Sequence, residues 1–149
     1  MQDGFIFGIG KGIYGFPASA IQQTLPSVQA QSIPWMPPFH HGLFHVRGEI
    51  IPLLDIRSFI NEPDDEPQRE TNVLVINTGS FRFGTLTGTP RFVPSPAEPW
   101  PLHPESSLWP ALDSLGEHVG QSFTLINPER LMIQMTRLLK DQFAAATLR

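Results

Sequence analysis

The sequence predicts a mainly β fold that is divided by many turns and followed by one C-terminal helix. Sixteen prolines and twelve glycines in 149 residues cut the chain into short segments, a pattern that favours strands over long helices. Apolar residues make up 40% of the chain and charged residues 16%, which is the balance of a protein that buries a core. This length suits one ordinary domain, or two small subdomains that share a core.

Short apolar runs bounded by turn residues predict the first strands. Residues 5–9 (FIFGI) and 13–16 (IYGF) flank the turn 10–12 (GKG), so we expect a β-hairpin there. Residues 18–25 are compatible with either a short strand or a helical turn. Residues 34–38 (PWMPP) must form a loop, because proline cannot donate to a β-ladder.

The middle of the chain contains two apolar β-runs that are joined by an Arg47-Gly48 turn, and the second run ends on Asp55. Residues 39–44 are expected to form one tight turn before these strands. Residues 61–72 are acidic and interrupted by proline, which predicts an exposed loop.

A second hairpin and a long loop follow. Residues 73–77 (VLVIN) and 81–86 (FRFGTL) flank the turn 78–80 (TGS), which predicts another pair of antiparallel strands. Residues 90–110 contain seven prolines and two tryptophans. This segment is predicted to be either an ordered loop that is pinned by its tryptophans or a mobile flap.

The chain is predicted to end in a strand and a helix. Residues 121–127 (QSFTLIN) indicate a strand, Asn127 is a suitable helix N-cap, and Pro128 suits the first helical position. Five apolar residues recur at helical spacing and predict a face that packs on the protein's own core rather than on a partner: Leu131, Met135, Leu138, Leu139 and Phe143.

Composition disfavours several classes of function. Ten basic and fourteen acidic residues give a net charge of −4, which disfavours nucleic acid and anionic membranes as partners. The chain has no cysteine, which excludes disulfides, thiolate nucleophiles and cysteine-based zinc sites. We find neither an export signal nor an apolar run of about 18 residues, so we expect a cytoplasmic protein without direct membrane insertion.

Residues 10–15 (GKGIYG) match the G-x-G-x-x-G pattern of dinucleotide sites. Such a site also needs a long helix after the third glycine and an acidic residue about 20 positions later. Pro17 interrupts the helix, and no acidic residue follows before Glu49. We therefore interpret these glycines as a hairpin turn and expect no cofactor.

Metal-binding and catalytic candidates are weak. His41 and His45 would share one face of a helix, and with His40 they form a histidine cluster, but no carboxylate lies at ligand spacing on the same element. Glu49 and Asp55 would share a strand face about 20 Å apart, which is too far for two carboxylates that act on one bond. A G-x-S-x-G elbow is also missing. The sequence therefore predicts no enzyme and no metal site.

Arg47 is the strongest candidate for recognition. It precedes Gly48 in a segment with little other charge, which places its guanidinium at the edge of a turn on a β scaffold. An arginine at such a position can anchor a protein interface through bidentate hydrogen bonds and stacking. The alternative is a buried ion pair with Asp55, although Asp55 could also end its strand or pair with Arg57.

The residues from Gly42 to Arg57 read Gly-x-x-x-Val-Arg-Gly-x-Ile-Ile-Pro-Leu-Leu-Asp-Ile-Arg, which resembles the signature of the CheW-like domain. Weaker resemblances to the opening hairpin, the later strands and the start of the closing helix of that family occur in residues 5–7 and 13–17, 73–76 and 83–84, and 123–131.

The resemblance implies a single CheW-like domain over residues 1–149, made of two small, intertwined β-barrels of SH3-like or OB-like kind. It implies a non-enzymatic adaptor in bacterial taxis that bridges the regulatory domain of a CheA-type histidine kinase and the cytoplasmic tip of methyl-accepting chemoreceptors. The receptor helix would lie in an apolar groove between the barrels. By position, Ile21, Gly42 and Arg47 would form or shape the partner-binding, receptor-facing side.

Two alternatives stay open. A stand-alone β-barrel could bind a metal or a small ligand through His40, His41 and His45. A divergent relative could instead compete for the place of the productive adaptor and lower signalling.

Overall fold

The protein folds into two β-sheets and one long helix. The computed structural model describes residues 3–147, with side chains described for residues 3–141. The strands are, in chain order, β1 (Gly4–Ile9), β2 (Gly12–Pro17), β3 (Ile21–Leu25), β4 (His40–Val46), β5 (Glu49–Leu54), β6 (Asn72–Asn77), β7 (Arg82–Thr87), β8 (Arg91–Val93), β9 (Leu112–His118) and β10 (Gln121–Ile126). Short 3-10 turns span Ala18–Ala20 and Arg57–Phe59, and helix α1 spans Pro128–Thr147. Over residues 3–147, no helix has both the length and the hydrophobicity that crossing a bilayer requires.

The two sheets divide the chain between its ends and its middle. One five-stranded sheet has the order β8-β1-β2-β10-β9, and we call it the terminal barrel. The other has the order β3-β6-β7-β5-β4, and we call it the central barrel. Because the strands of the terminal barrel come from both sides of the central one in the chain, the two barrels are intertwined. The predicted mainly β fold class is confirmed.

Both barrels have the same topology, although their sequences show no obvious repeat. In each, an edge strand pairs antiparallel with a hairpin, and the second strand of that hairpin pairs in parallel with an outer hairpin. The parallel contact joins Leu125 to Gly15 in the terminal barrel and Leu53 to Gly84 in the central barrel. The chain therefore contains one five-stranded unit twice.

The largest hydrophobic core is shared by both barrels and by α1. It includes buried side chains from seven strands and from the helix, among them Phe7, Phe16, Leu54, Ile76, Phe83, Leu112, Ile126, Leu131 and Met135. Smaller apolar clusters lie within each barrel. The hydrophobic burial that stabilises the fold thus also joins its two halves.

The predicted hairpins and the Arg47-Gly48 turn are confirmed by the pairing of β1 with β2, β6 with β7, and β4 with β5. Residues 18–25 contain both of the predicted alternatives, since a 3-10 turn precedes β3. The prediction of a tight turn over residues 39–44 is wrong. Strand β4 begins at His40, which pairs with Leu54, and a β-bulge follows before Gly42.

Two strands were not predicted. Strand β8 lies within the proline-rich segment 90–110 and pairs with β1, and β9 follows that segment and pairs with β10. The rest of the segment is an ordered loop rather than a flap. Trp100 meets Phe123 edge to face with ring centroids 5.9 Å apart, and Trp109 packs against the shared core.

Helix α1 begins where the sequence predicts. The Asn127 side-chain oxygen accepts hydrogen bonds from the backbone N–H groups of Glu129 and Arg130, both at 3.1 Å. This is the N-cap arrangement that satisfies the free donors of a first helical turn. Pro128 occupies the first helical position.

The buried face of α1 differs by one residue from the prediction. Leu131 and Met135 are fully buried and Leu139 packs against the shared core, but Leu138 is 46% exposed. Met132 is buried instead, because successive residues turn by about 100° and Leu138 falls at the edge of the stripe. The predicted contribution of Phe143 lies outside the described side chains.

The acidic segment 61–72 is an irregular loop as predicted, but its exposure is not uniform. Glu62 is buried, with 9% of its surface exposed. Its carboxylate accepts hydrogen bonds from the β1–β2 hairpin, which a loop that is exposed along its whole length would not do.

Candidate functional site

Arg47 and Gly48 form a two-residue turn at the tip of the β4–β5 hairpin. Val46 pairs with Glu49 across the turn, and φ is +49° at Arg47 and +82° at Gly48. Positive φ at both positions is typical of type I′ turns, whose twist matches that of the flanking strands. Glycine adopts this conformation readily, whereas arginine rarely does. The ladder on both sides of the turn therefore holds the tip in a fixed orientation.

The Arg47 side chain is exposed. Among the side chains of residues 3–141, none forms a salt bridge with its guanidinium. Its neighbour Glu49 pairs with Arg82 instead, and Asp55 pairs with Arg57. The alternative of a buried Arg47–Asp55 pair is therefore wrong. Arg47 thus presents a cation that no described side chain pairs with, at the hairpin tip of a protein that is acidic overall.

Asp55 and Arg57 form a buried ion pair behind the hairpin. Arg57 Nη2 donates to Asp55 Oδ2 at 2.7 Å, and Nε donates to both carboxylate oxygens at 3.0 and 3.1 Å. These hydrogen bonds raise the pKa of Arg57 above its ordinary value. Arg57 Nη1 also donates to the carbonyl of Glu66 at 2.8 Å. This pair fastens the β5–β6 loop, and its position is that of a structural element rather than of a recognition site.

A groove of about 510 Å³ lies beside the Arg47 tip, between β3 and β4. These strands are the two edges of the central barrel and do not pair with each other. Leu25, Val28, Phe44 and Val46 supply the apolar lining, and Arg47 lines the groove where β4 ends. Polar side chains line the rest of the groove: Gln23, Ser27, Gln29 and His45. A surface of mixed polarity with an arginine at its margin has the composition of a protein-binding surface.

Gly42 lies outside the groove lining but permits a close backbone contact with the segment that precedes β4. Its φ is +126°, and a Cβ there would lie 2.4 Å from the carbonyl oxygen of Gln31. Gln31 and Leu43 exchange backbone hydrogen bonds of 2.8 and 2.9 Å, so the chain crosses β4 at this point. The same crossing segment carries Val28 into the groove wall. Gly42 is required because only a residue without a side chain allows this approach.

Ile21 lies on a groove strand but does not line the groove. It is the first residue of β3, is half-buried, pairs with Ile76 and packs against the shared core. The groove begins further along the strand, at Gln23 and Leu25. Of the three predicted residues, the structure thus places Arg47 in the groove lining, whereas Gly42 and Ile21 lie outside it.

The histidine cluster lacks the geometry that a metal site would need. His40 and His41 open β4 and His45 lies near its end, so His41 and His45 are about 13 Å apart at strand rise rather than one helical turn apart. Within residues 3–141, no group of three or more histidine, aspartate or glutamate side chains is placed to hold a metal ion. Burial lowers the pKa of His40.

The apolar walls of the groove escaped prediction from the sequence. The alternation in β4 contained a signal, since Phe44 and Val46 share a strand face. What the sequence could not show is that β3 faces β4. That arrangement depends on the pairing of three intervening strands, which closes the sheet on itself.

Comparison with known proteins points to one family. The model of the CheW-like domain matches residues 3–132. Chemotaxis protein CheW of Klebsiella aerogenes is 26% identical over 147 residues, which cover 96% of this chain and 89% of that protein. Protein FrzA of Myxococcus xanthus is 28% identical over 88 residues, which cover 59% of this chain and 55% of FrzA.

Two further similarities complete the comparison. Chemotaxis protein CheV3 of Helicobacter pylori is 28% identical over 92 residues, covering 61% of this chain but 29% of CheV3. The chain thus matches about half of FrzA and less than a third of CheV3. The crystal structure of the scaffolding protein TtCheW from Thermoanaerobacter tengcongensis covers 85% of this chain and 88% of that chain, with a TM-score of 0.72 and 16% identity, and so supports the fold. Because the family model matches most of its length, this chain belongs to the CheW-like domain family.

Proposed function

We propose that this chain is a non-enzymatic signalling adaptor that couples chemoreceptor-type sensors to a CheA-type histidine kinase in bacterial taxis or motility control. The observation that carries the proposal is Arg47 at the hairpin tip beside the β3–β4 groove, without a salt bridge to any side chain of residues 3–141. Membership in a family of scaffolds rather than enzymes supports it, as does similarity to two proteins named for chemotaxis. The adaptor acts in the cytoplasm, as one CheW-like domain over residues 1–149.

The make-up of the groove supports binding rather than catalysis. Of the residues that line it, His45 and Arg47 are the ones with a titratable or charged side chain, and no carboxylate is among them. A general acid–base pair or an activated nucleophile needs two such groups within hydrogen-bond distance. An arginine next to apolar side chains is instead the composition of interface hot spots.

In this proposal the receptor tip binds along the central barrel, as an amphipathic helix lies in a groove. Arg47 donates hydrogen bonds to a carboxylate or carbonyl of the receptor. Gly42 keeps the groove open by letting the Gln31 segment cross β4. Ile21 contributes apolar surface at the start of β3. The regulatory domain of the CheA-type kinase binds elsewhere on the chain.

The test is a calorimetric titration of the receptor's cytoplasmic tip into wild-type protein and into Arg47→Asn. Asparagine tolerates positive φ, so this variant removes the charge while keeping the turn. We expect affinity to fall by about tenfold or more, as for an interface hot spot. The matched control is Arg91→Asn, an exposed arginine on β8 of the other barrel. Unchanged affinity for Arg47→Asn would remove Arg47 from the site, and an equal loss in both variants would indicate a general charge effect.

A further inference from the structure

A half-open cavity of about 270 Å³ lies on the terminal barrel, away from the β3–β4 groove. Its apolar walls are the side chains of Ile6, Val93, Trp100, Phe123 and Leu125. Two of these walls are aromatic and already interact, because the Trp100 ring stands at 81° to the Phe123 ring. Phe123 is 3% exposed, so the half-buried Trp100 ring supplies the aromatic surface that another ring can meet.

The duplicated topology allows the two barrels to be compared position by position. Ile6 and Val75 hold the same position, since each stands opposite the glycine that makes the parallel contact of its barrel. Two residues earlier on the same strand, the central barrel has Val73, which is fully buried. The terminal barrel has Gly4, which lines the cavity. A Cβ at Gly4 would lie 3.1 Å from the carbonyl oxygen of Phe16, so the two barrels differ at this position.

The loops that cover the two barrels also differ. In each barrel a loop forms one isolated β-bridge with the outer hairpin. The bridge joins Leu102 to Ser114 in the terminal barrel and Gln31 to Leu43 in the central barrel. The central loop packs Val28 and Ala30 against the interior. The terminal loop instead places three prolines over the cavity. Because proline restricts the backbone, this loop resists collapse into the cavity.

The polar groups at the cavity carry negative charge. Among the described residues, Asp3 and Asp113 line it, whereas no lysine, arginine or histidine does. Arg130 forms an ion pair with Asp113 at 3.8 Å from outside the lining, and Asp3 accepts hydrogen bonds from Ser95 at 2.8 and 3.0 Å. Two carboxylates and one neighbouring arginine leave a net negative charge at this mostly apolar opening, which favours a cationic ligand.

We propose that this cavity binds a small arylalkylamine, a molecule with one aromatic ring and one protonated amine. A benzene ring is accommodated by apolar cavities of about 150 Å³, so the observed volume has room for a ring and a short chain. The ring would lie against Trp100, and the ammonium group would face Asp3 and Asp113. This site goes beyond the adaptor function and does not depend on it.

The test is a methyl NMR titration with 2-phenylethylamine. We expect saturable shifts at the methyl groups of Ile6, Val93 and Leu125, and none at Val73 and Val75 of the other barrel. The uncharged 2-phenylethanol should bind about tenfold more weakly or worse, because it lacks the charge that the carboxylates select. The anionic 3-phenylpropionate should bind least. Absence of localised shifts, or equal affinity for amine and alcohol, would overturn the proposal.

Two kinds of variant distinguish the contribution of the carboxylate charge to binding from that of the cavity volume. Asp113→Asn should weaken amine binding about tenfold and leave the alcohol unchanged, whereas the matched control Glu117→Gln, on the same strand but outside the cavity, should have no effect. Ser114→Leu should abolish binding of both by filling the space. If Ser114→Leu does not fold, the comparison of Asp113→Asn with Glu117→Gln decides. Equal amine affinity in those two variants would contradict the proposed site.

Discussion

The Tyr14 hydroxyl donates a hydrogen bond of 2.5 Å to the carboxylate of Glu62, which lies 48 residues further along the chain. The second oxygen of that carboxylate accepts the backbone N–H of Lys11 at 2.7 Å. Glu70 accepts the backbone N–H of Gly10 at 2.5 Å. These bonds tie the β5–β6 loop of the central barrel to the β1–β2 hairpin of the terminal barrel, and so help to fix one barrel relative to the other.

Tyr14 should resist ionisation in the folded protein. Burial, the hydrogen bond to Glu62 and the charge of Glu62 all raise the pKa of Tyr14 above its ordinary value. Tyr14 is the single tyrosine of the chain, so near-ultraviolet phenolate absorbance reports it directly. Unfolded protein in urea should titrate near pH ~10, whereas folded protein should titrate at clearly higher pH. Titration of the Tyr14 hydroxyl near pH ~10 in the folded protein would contradict its burial and its hydrogen bond to Glu62.

The same shift predicts a loss of stability at alkaline pH. Because the pKa of Tyr14 is higher in the folded state, its contribution is fully present below pH ~10 and is lost as pH rises through and above that value. The free energy of unfolding should fall by up to about 1.4 kcal/mol per pH unit from this group. Urea unfolding of wild type and Tyr14→Phe across this range isolates the effect. Parallel pH profiles for the two proteins would argue against it.

Glu62→Gln should destabilise the fold by about 1–3 kcal/mol. An amide has one acceptor oxygen, so it cannot serve both Lys11 and Tyr14 as the carboxylate does. The matched control is Glu66→Gln, since Glu66 is exposed and contributes its backbone carbonyl. Chemical denaturation measures both variants. Adding Tyr14→Phe completes a double-mutant cycle, and strict additivity would show that Tyr14 and Glu62 are not coupled.

Asp55→Asn should cost about 3–5 kcal/mol of unfolding free energy, because it leaves the buried Arg57 charge without its carboxylate. The comparison is Glu49→Gln, which breaks the exposed pair with Arg82 and should cost less than about 1 kcal/mol. Both are measured by urea denaturation at neutral pH. Similar costs for the two variants would mean that burial of the Asp55 pair has little energetic weight.

Two glycine substitutions separate backbone strain from steric clash. At Gly48 φ is +82° and a Cβ would have no neighbour within 4 Å, so Gly48→Ala should cost about 1–2 kcal/mol. At Gly42 the added Cβ would also collide with Gln31, so Gly42→Ala should cost distinctly more and should distort the groove. Unfolding by urea, followed by receptor-tip titration of the folded variants, measures both effects. Equal stability of the two variants would contradict the close crossing at Gly42.

Local patterns predicted the parts of the fold that depend on neighbouring residues. The β1–β2 hairpin, the Arg47-Gly48 turn and the N-cap at Asn127 each involve turn or capping residues that act within a few positions. The buried face of α1 was also largely predicted from the sequence, except that Met132 is buried rather than Leu138. Such features need no knowledge of where the rest of the chain lies.

Features that depend on distant segments could not be predicted in this way. Strand β8 consists of three residues between prolines. It forms because it pairs with the edge of β1 that β2 leaves open. The sequence of β9, LDSLGEH, has little β-character, and its pairing with β10 decides its conformation. Burial of Glu62 depends on a hairpin 48 residues earlier. For the same reason Arg47 could be singled out from the sequence, while the groove beside it could not.

The adaptor account is tested most directly by reconstituting this protein with a CheA-type kinase and receptor cytoplasmic tips from the same genome. The quantity to measure is the rate of kinase autophosphorylation, with each component omitted in turn. The account predicts that receptors change this rate when the protein is present, and that omitting it or introducing Arg47→Asn removes the response. A response to receptors that does not need this protein would contradict the account, and so would a protein that only displaces a productive adaptor and lowers the rate.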